Sequence, residues 1–204
     1  MPEAAFEWLG GDPALDFHNT ASWRPDRAAE ERLRTYADLV AWGRGAGLVA
    51  RPGSLLAAAR RRPAEAARAL VGALALRRDL HGIFTAVAQG RDPEPGALGG
   101  LNRLLSGVLG RLAVARRPKG FDWAWSATSA LDQLLGPIAW SAARLLASDE
   151  VARVGRCANP SCGWLFVDRS RRHNRRWCDM GECGSRAKAR RHYARKREAA
   201  RRTL

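Results

Sequence analysis

Apolar residues return along this 204-residue chain at two different periods, and the periods divide it into elements. Over 28–46, Leu33, Tyr36, Ala37, Val40 and Ala41 recur at helical spacing and Gly45 and Gly47 close the run, which predicts a helix. A short helix over 53–61 stops before Pro63, and Pro63 suits the first turn of a long helix reaching about residue 89. Leu70, Leu74, Arg77, Leu80, Phe84 and Val87 fall near one face of it, with Arg68, Arg78 and Asp79 away, which marks it as the central core helix. The same spacing predicts a helix over 96–110, carrying Leu98, Leu101, Leu104, Leu105 and Val108. Another covers 129–147, with Leu131, Leu134, Leu135, Ile138, Ala142, Leu145 and Leu146 on its face and Pro137 as a kink or restart. Between these two the period falls to two: residues 111–116 and 121–125 alternate about a Pro118-Lys119-Gly120 turn and predict a hairpin. The fold class is therefore α+β, a mostly α-helical N-terminal domain with a β-hairpin over 1–150, followed by a small module over 151–204.

The stretch 6–20 mixes a glycine turn at Gly10-Gly11 with apolar and interleaved polar residues, and is expected to be a short strand or turn leading into a buried segment. Its polar cluster, Asp16, His18, Asn19 and Thr20, has two readings. It lines a small-molecule pocket, or it pins the N-terminal segment by hydrogen bonds; an Asp and an Asn beside a turn routinely bond local backbone, so pinning is preferred. His81 reads as a helix-surface or packing residue, not a ligand. Trp123 and Trp125 share one face of their strand and are expected to pack on a helix rather than stack a ligand.

All four cysteines lie in the C-terminal module: Cys157 and Cys162, then Cys178 and Cys183, with four residues inside each pair and fifteen between the pairs. Two such knuckles can close on one tetrahedral ion. Zinc held by four thiolates has a full shell, with no position for water or substrate, so one structural Zn2+ is the expected cofactor and catalysis is not expected. Asn159-Pro160, Gly163, Gly181 and Gly184 supply the tight bends around it. Disulfides are the first alternative, disfavoured because no basic start and apolar run mark a secretory signal, which places the chain in the reducing cytoplasm. A thiol redox switch is the second, since neighbouring arginines raise thiol reactivity. It is compatible with zinc, because oxidation of bound thiolates releases the metal.

The formal net charge is +15, and it is concentrated: residues 151–204 hold 16 Lys or Arg against 4 Asp or Glu. A local field of this kind attracts polyanions, nucleic acid first among them. The longest apolar run, residues 70–76 apart from Gly72, falls far short of the roughly 20 residues of a membrane span, so no membrane partner is expected. Trp164 to Val167 reads as a short strand covering one side of the metal site. A cationic connection with Arg171, Arg172, Arg175 and Arg176 follows, and then a helix from Gly184 whose first turn Cys183 anchors. That helix carries Arg186, Lys188, Arg190, Arg191, Arg195, Lys196 and Arg197. With the connection they form the candidate nucleic-acid surface, phosphates first and guanine edges for some arginines; a solvated charged tail is the alternative reading.

Cys157, Cys162, Gly163-Trp164-Leu165-Phe166-Val167-Asp168, Ser170-Arg171, Arg175-Arg176-Trp177-Cys178, Met180 and Cys183-Gly184-Ser185-Arg186-Ala187-Lys188 resemble the CGNR zinc-finger family of bacterial transcription regulators. Ser185 stands where the family has Asn, a position that is not a ligand. Gly10-Gly11, Leu15-Asp16-Phe17, Asn19-Thr20, Tyr36-Ala37-Asp38-Leu39-Val40 and Gly47-Leu48-Val49 are similar to the ABATE domain, the N-terminal partner of that finger. His18 departs from it where an apolar residue is expected, and Pro13 is also unusual. The resemblance implies a stress-related transcription regulator that binds DNA through the finger, its N-terminal domain sensing a ligand or mediating homo-oligomer assembly. RNA binding and a protein-interaction finger are the alternatives. No nucleophile elbow, phosphate loop or paired-carboxylate signature points to an enzyme.

Overall fold

The computed structural model describes residues 6–23, 30–126 and 130–202, with side chains described as far as residue 196. The opening segment is a short helix, α1 (Pro13–His18), and not a strand: the Asp12 side chain accepts from the Ala14 N–H as N-cap, and Pro13 starts the first turn with its φ already fixed. Leu15 and Phe17 are fully buried. Two-residue strands β1 (Ala21–Ser22) and β2 (Glu30–Glu31) then pair antiparallel.

Helix α2 (Tyr36–Gly45) begins later than the apolar spacing suggested, and the first two residues of the expected run, 28 and 29, lie outside the described residues. Its beginning is set by a capping box, with Thr35 accepting from the Asp38 N–H and Asp38 returning to Thr35. Upstream, Glu31 is committed to the β1–β2 ladder and to an ion pair with Arg77. Helices α3 (Pro52–Arg61) and α4 (Pro63–Ala88) each start on a proline, close to the expected limits. The buried face of α4 is rotated from the predicted one. Ala69, Ala73, Leu76, Leu80, Ile83 and Phe84 are buried, whereas Leu70, Leu74 and Val87 are only half-buried, because the small Ala69 and Ala73 admit close neighbours.

Helix α5 (Pro95–Val108) packs on α4 and ends in a 3-10 turn, Leu109–Arg111. The hairpin follows as β3 (Leu112–Arg117) and β4 (Gly120–Trp125), in a register that places Leu112 opposite Trp125, Val114 opposite Trp123 and Arg116 opposite Phe121. Its base meets helix α6 (Leu135–Leu146): Trp123 and Trp140 lie edge to face at 5.9 Å, and Trp125 covers Gly136 so closely that a Cβ there would come within 2.7 Å of its ring. Pro137 is no kink. It falls in the first turn of α6, where no intrahelical N–H bond is lost, because the chain from Leu131 to Leu134 is a turn and not helix; Ser129 lies outside the described residues.

A 3-10 turn, Asp149–Arg153, leads into β5 (Val154–Arg156), antiparallel to β6 (Leu165–Val167). The last helix is α7 (Ser185–Arg202). The period-two alternation of β6 gives it two cores. Leu165 and Val167 join the main core built on α1, α2, α4 and α6, while Phe166 and the preceding Trp164 join a second cluster with Cys157, Cys178 and Cys183. Its outer edge is closed by the N-terminal segment: Val167 N–H donates to Gly10 O at 2.8 Å, and the Asn19 side chain takes Leu165 N–H at 3.0 Å and returns its own Nδ2–H to Leu165 O at 2.9 Å. An asparagine amide thus stands in for a third strand.

Candidate metal centre and nucleic-acid interface

Two turns bring the cysteines together. In the first knuckle Cys157 N–H donates to Trp164 O and Cys162 N–H to Asn159 O. Gly163 then takes a φ of +87°, where a Cβ would stand 2.1 Å from Trp23 O, so that only glycine lets the two segments approach this closely. In the second, Asp179 accepts from the Glu182 N–H and Gly184 N–H reaches Asp179 O, winding a five-residue turn over Met180–Gly184 that delivers Cys183 directly ahead of α7.

All four Sγ atoms lie within 4.8 Å of one another, with Cys162–Cys178 and Cys178–Cys183 both at 3.6 Å. Four sulfurs about 2.3 Å from a central zinc sit roughly 3.8 Å apart, so the cage has the size of a tetrahedral site. The same spacing is far beyond a sulfur–sulfur bond of about 2.05 Å, and all four cysteines are free. Hydrogen bonds from Cys162 and Cys178 hold the Cys157 thiol well below its ordinary value, and the same contacts push Cys162 and Cys178 up. A cation at the centre is what lets several thiolates sit this close together.

Around the sulfurs stands a layer that sequence reasoning missed. Buried Asn159 donates Nδ2–H to Cys183 Sγ at 3.3 Å, and its Oδ1 accepts from Arg190 Nη2 at 3.0 Å. Arg190 therefore ties α7 to the cage and supports a thiolate through an amide. Its proximity to Pro160 marked Asn159 only as a turn residue. Arg175 also faces inward: its guanidinium lies 4.3 Å from the Phe166 ring centroid and donates to the carbonyls of Leu9, Trp177 and Cys178. The fold thus engages both Arg175, half-buried, and Arg190, which stays exposed beyond its bond to Asn159.

The other cations are exposed, as Arg190 is. Arg171, Arg172, Arg176, Arg186, Lys188, Arg191, Arg195 and Lys196 are exposed, and the side chain of Arg197 lies outside the described residues. Buried Ala187 and the inward-turned Arg190 define the inner side of α7, so Lys188, Arg191 and Arg195, three and four residues apart, run along one outer flank. The other flank carries Arg186, which reaches Glu182 at 3.5 Å. Beside the cage, a cavity of about 230 Å³ is bordered by Glu7, Glu30, Asp179 and Glu182 as well as Cys162 and Arg186.

Asp16, His18, Asn19 and Thr20 are all buried, and none of them lines any of the four principal cavities. Their polar atoms are spent on the fold. Asp16 accepts from Gly10 N–H at 2.7 Å, and burial raises its carboxyl to about 6. Thr20 donates to Phe17 O and accepts from Arg77. Asn19 Oδ1 is an acceptor from Leu165, so His18 Nδ1, 2.9 Å away, carries the ring proton; His18 Nε2 then accepts from His81 Nδ1 at 3.0 Å. Trp23 stacks on His81 at 3.8 Å. Burial holds His18 down at about 3 and lowers His81 too, so both rings stay neutral near pH 7.

Fold and site define the class: a helical domain carrying a four-cysteine zinc finger that ends in a basic helix. The chain belongs to the ABATE family, described as "Putative stress-induced transcription regulator", which matches residues 11–149. Residues 153–196 match the CGNR zinc finger. No individual curated protein matches the chain. The cage therefore holds one structural zinc ion, through Cys157, Cys162, Cys178 and Cys183. No helix among the described residues is long and apolar enough to cross a membrane.

Proposed function

We propose that the protein is a non-catalytic, cytoplasmic transcription regulator that grips DNA with the outer flank of α7. The observation that carries this reading is the exposed row Lys188, Arg191 and Arg195 on a helix whose first turn is fixed by Cys183 and whose inner side is fixed by Arg190 on Asn159. A helix held at its start can enter a groove without paying to order itself, its cations meeting phosphates and base edges. Arg171, Arg172 and Arg176 add exposed charge from the connection between knuckles. The acidic residues by Arg186 oppose phosphate on the other flank, which orients the approach.

Selection of genomic DNA fragments by the zinc-loaded protein at two salt concentrations tests this. The expected result is an enriched motif that survives the higher salt; about five phosphate contacts give a log–log salt slope near −4.5. Arg191→Ala combined with Arg195→Ala keeps zinc and weakens binding. Sequence-blind binding that collapses with salt, or an unchanged affinity in the double variant, refutes the assignment. Tighter binding to single-stranded RNA than to any duplex, through exposed Tyr193, makes the finger an RNA reader instead.

A further inference from the structure

The β3–β4 hairpin stands out from the body with an apolar face that the fold leaves uncovered. Leu112, Val114 and Arg116 share this face with Trp125, Trp123 and Phe121. Its base is held on α6 through Trp125 and Trp123, but exposure climbs outward, 52% for Trp123, 60% for Val114 and 70% for Phe121. Neither Val114 nor Phe121 belongs to a core cluster, and the Arg116 guanidinium, 5.4 Å from the Phe121 ring centroid, is the cover that ring receives on its own arm. A two-stranded hairpin is marginal in water by itself and gains stability from a further apolar layer. Beneath the arm runs a groove of about 430 Å³, lined by Trp123, Trp125, Pro137 and Trp140.

We propose that the hairpin is an assembly arm whose occupant is the same arm of a second copy of this chain. Two hooks clasp with their inner faces together. Each Phe121 enters the partner's tryptophan-lined groove, in the reciprocal arrangement a two-fold axis imposes. Charge supports this occupant. The tip carries Arg116, Arg117 and Lys119, while the groove borders on Asp12, Asp122 and Glu150 against Arg144 and Arg169, so a cationic tip meets a net anionic pocket. Area sets the strength. With about 150–250 Å² per large aromatic side chain, covering the exposed parts of Phe121, Trp123 and Val114 removes roughly 350 Å² of apolar surface per copy. Over two copies that is roughly 700 Å² before groove walls and tip are added, below the about 1,200 Å² of a stable specific complex, so the dimer is weak and reversible. The inference stands apart from what the finger binds.

Sedimentation velocity on the full-length, zinc-loaded chain over a wide concentration series tests it. Wild type is expected to pass reversibly from monomer to dimer. Phe121→Asp, at a site too exposed to cost folding, weakens the dimer by about 30-fold or more, as loss of an aromatic anchor on both sides does. Lys119→Glu weakens it too, most at low salt. Val71→Asp, on α4 and 67% exposed in the monomer, leaves it unchanged. Amide protection along β3 and β4 rises with concentration in wild type. A monomer at every concentration, which leaves the groove to some other occupant, overturns the proposal. So does Phe121→Asp dimerising as tightly as wild type, or hairpin protection that ignores concentration.

Discussion

Replacing Asn19 by alanine removes two of the hydrogen bonds that hold the zinc module against the helical domain, and its cost follows from the geometry. Asn19 satisfies both outer-edge groups of Leu165, a fully buried residue, at 3.0 and 2.9 Å, and its Oδ1 also receives the His18 Nδ1 proton. Alanine leaves three buried groups without partners, the Leu165 N–H and C=O and the His18 Nδ1–H. Each orphaned group costs about 1–3 kcal/mol, so the expected loss is roughly 3–9 kcal/mol, a large share of the roughly 5–15 kcal/mol that holds a domain folded. Urea unfolding of the zinc-loaded chain measures the loss, and hydrogen exchange at the Leu165 amide locates it. Asn102→Ala, on the exposed side of α5, is the control and stays within about 0.5 kcal/mol of wild type. If Asn19→Ala costs less than about 1 kcal/mol and the Leu165 amide stays as protected as before, the strand-edge argument is wrong.

The metal cage and its surroundings yield three more expectations. Cys157→Ser lowers zinc to below one equivalent by elemental analysis and abolishes finger amide protection, while far-UV circular dichroism still reports the N-terminal helices; full zinc in the variant contradicts the four-thiolate site. Asn159→Ala keeps all four ligands but weakens metal affinity about 10–100-fold in a chelator competition, as loss of a supporting hydrogen bond to a ligand does, and unchanged affinity removes Asn159 from the site. His18 is depressed to about 3 from an unfolded value near 6.5, so its contribution is complete above pH 6.5 and drains as pH falls, at up to about 1.4 kcal/mol per pH unit. Asp16, raised to about 6, works the opposite way: its contribution is present at low pH and lost as pH rises through 6. Subtracting the stability of His18→Gln from that of wild type cancels both Asp16 and zinc, and the difference should shrink from pH 6.5 downward. A flat difference means His18 titrates normally.

How far the sequence could be read depended on how far away the deciding partner lay. Pro63 and the alternation of Phe121, Trp123 and Trp125 are local signals, and α4 and the hairpin sit close to where those signals put them. The start of α2 was misplaced because Glu31 answers to Arg77, 46 positions on, and an apolar spacing rule has no access to that pair. Arginines posed the same difficulty. Composition makes Arg175 and Arg190 look like every other cation in the module, but the first reaches back to Leu9 and the second to Asn159, contacts that only the folded chain reveals. His18 looked misplaced in an apolar segment, yet a fully buried imidazole is tolerated there because both ring nitrogens find partners. The cage itself was legible, since four cysteines at knuckle spacing need little beyond two turns to meet.

The double-faced strand β6 makes the finger a poor candidate for transplantation. Cut out at about residue 151, it would keep Trp164 and Phe166 on its metal cluster but carry Leu165 and Val167 bare into water, above a strand edge stripped of Gly10 and Asn19. Grafted onto a foreign domain it would need a host offering an amide and a carbonyl at that same pitch. A chimera designed by joining sequences at the boundary between the two matched regions would therefore inherit the zinc ligands and still present a sticky, unpaired ribbon. Moving this module means moving the residues 9–20 loop and short helix with it, so the smallest portable unit is discontinuous in the chain.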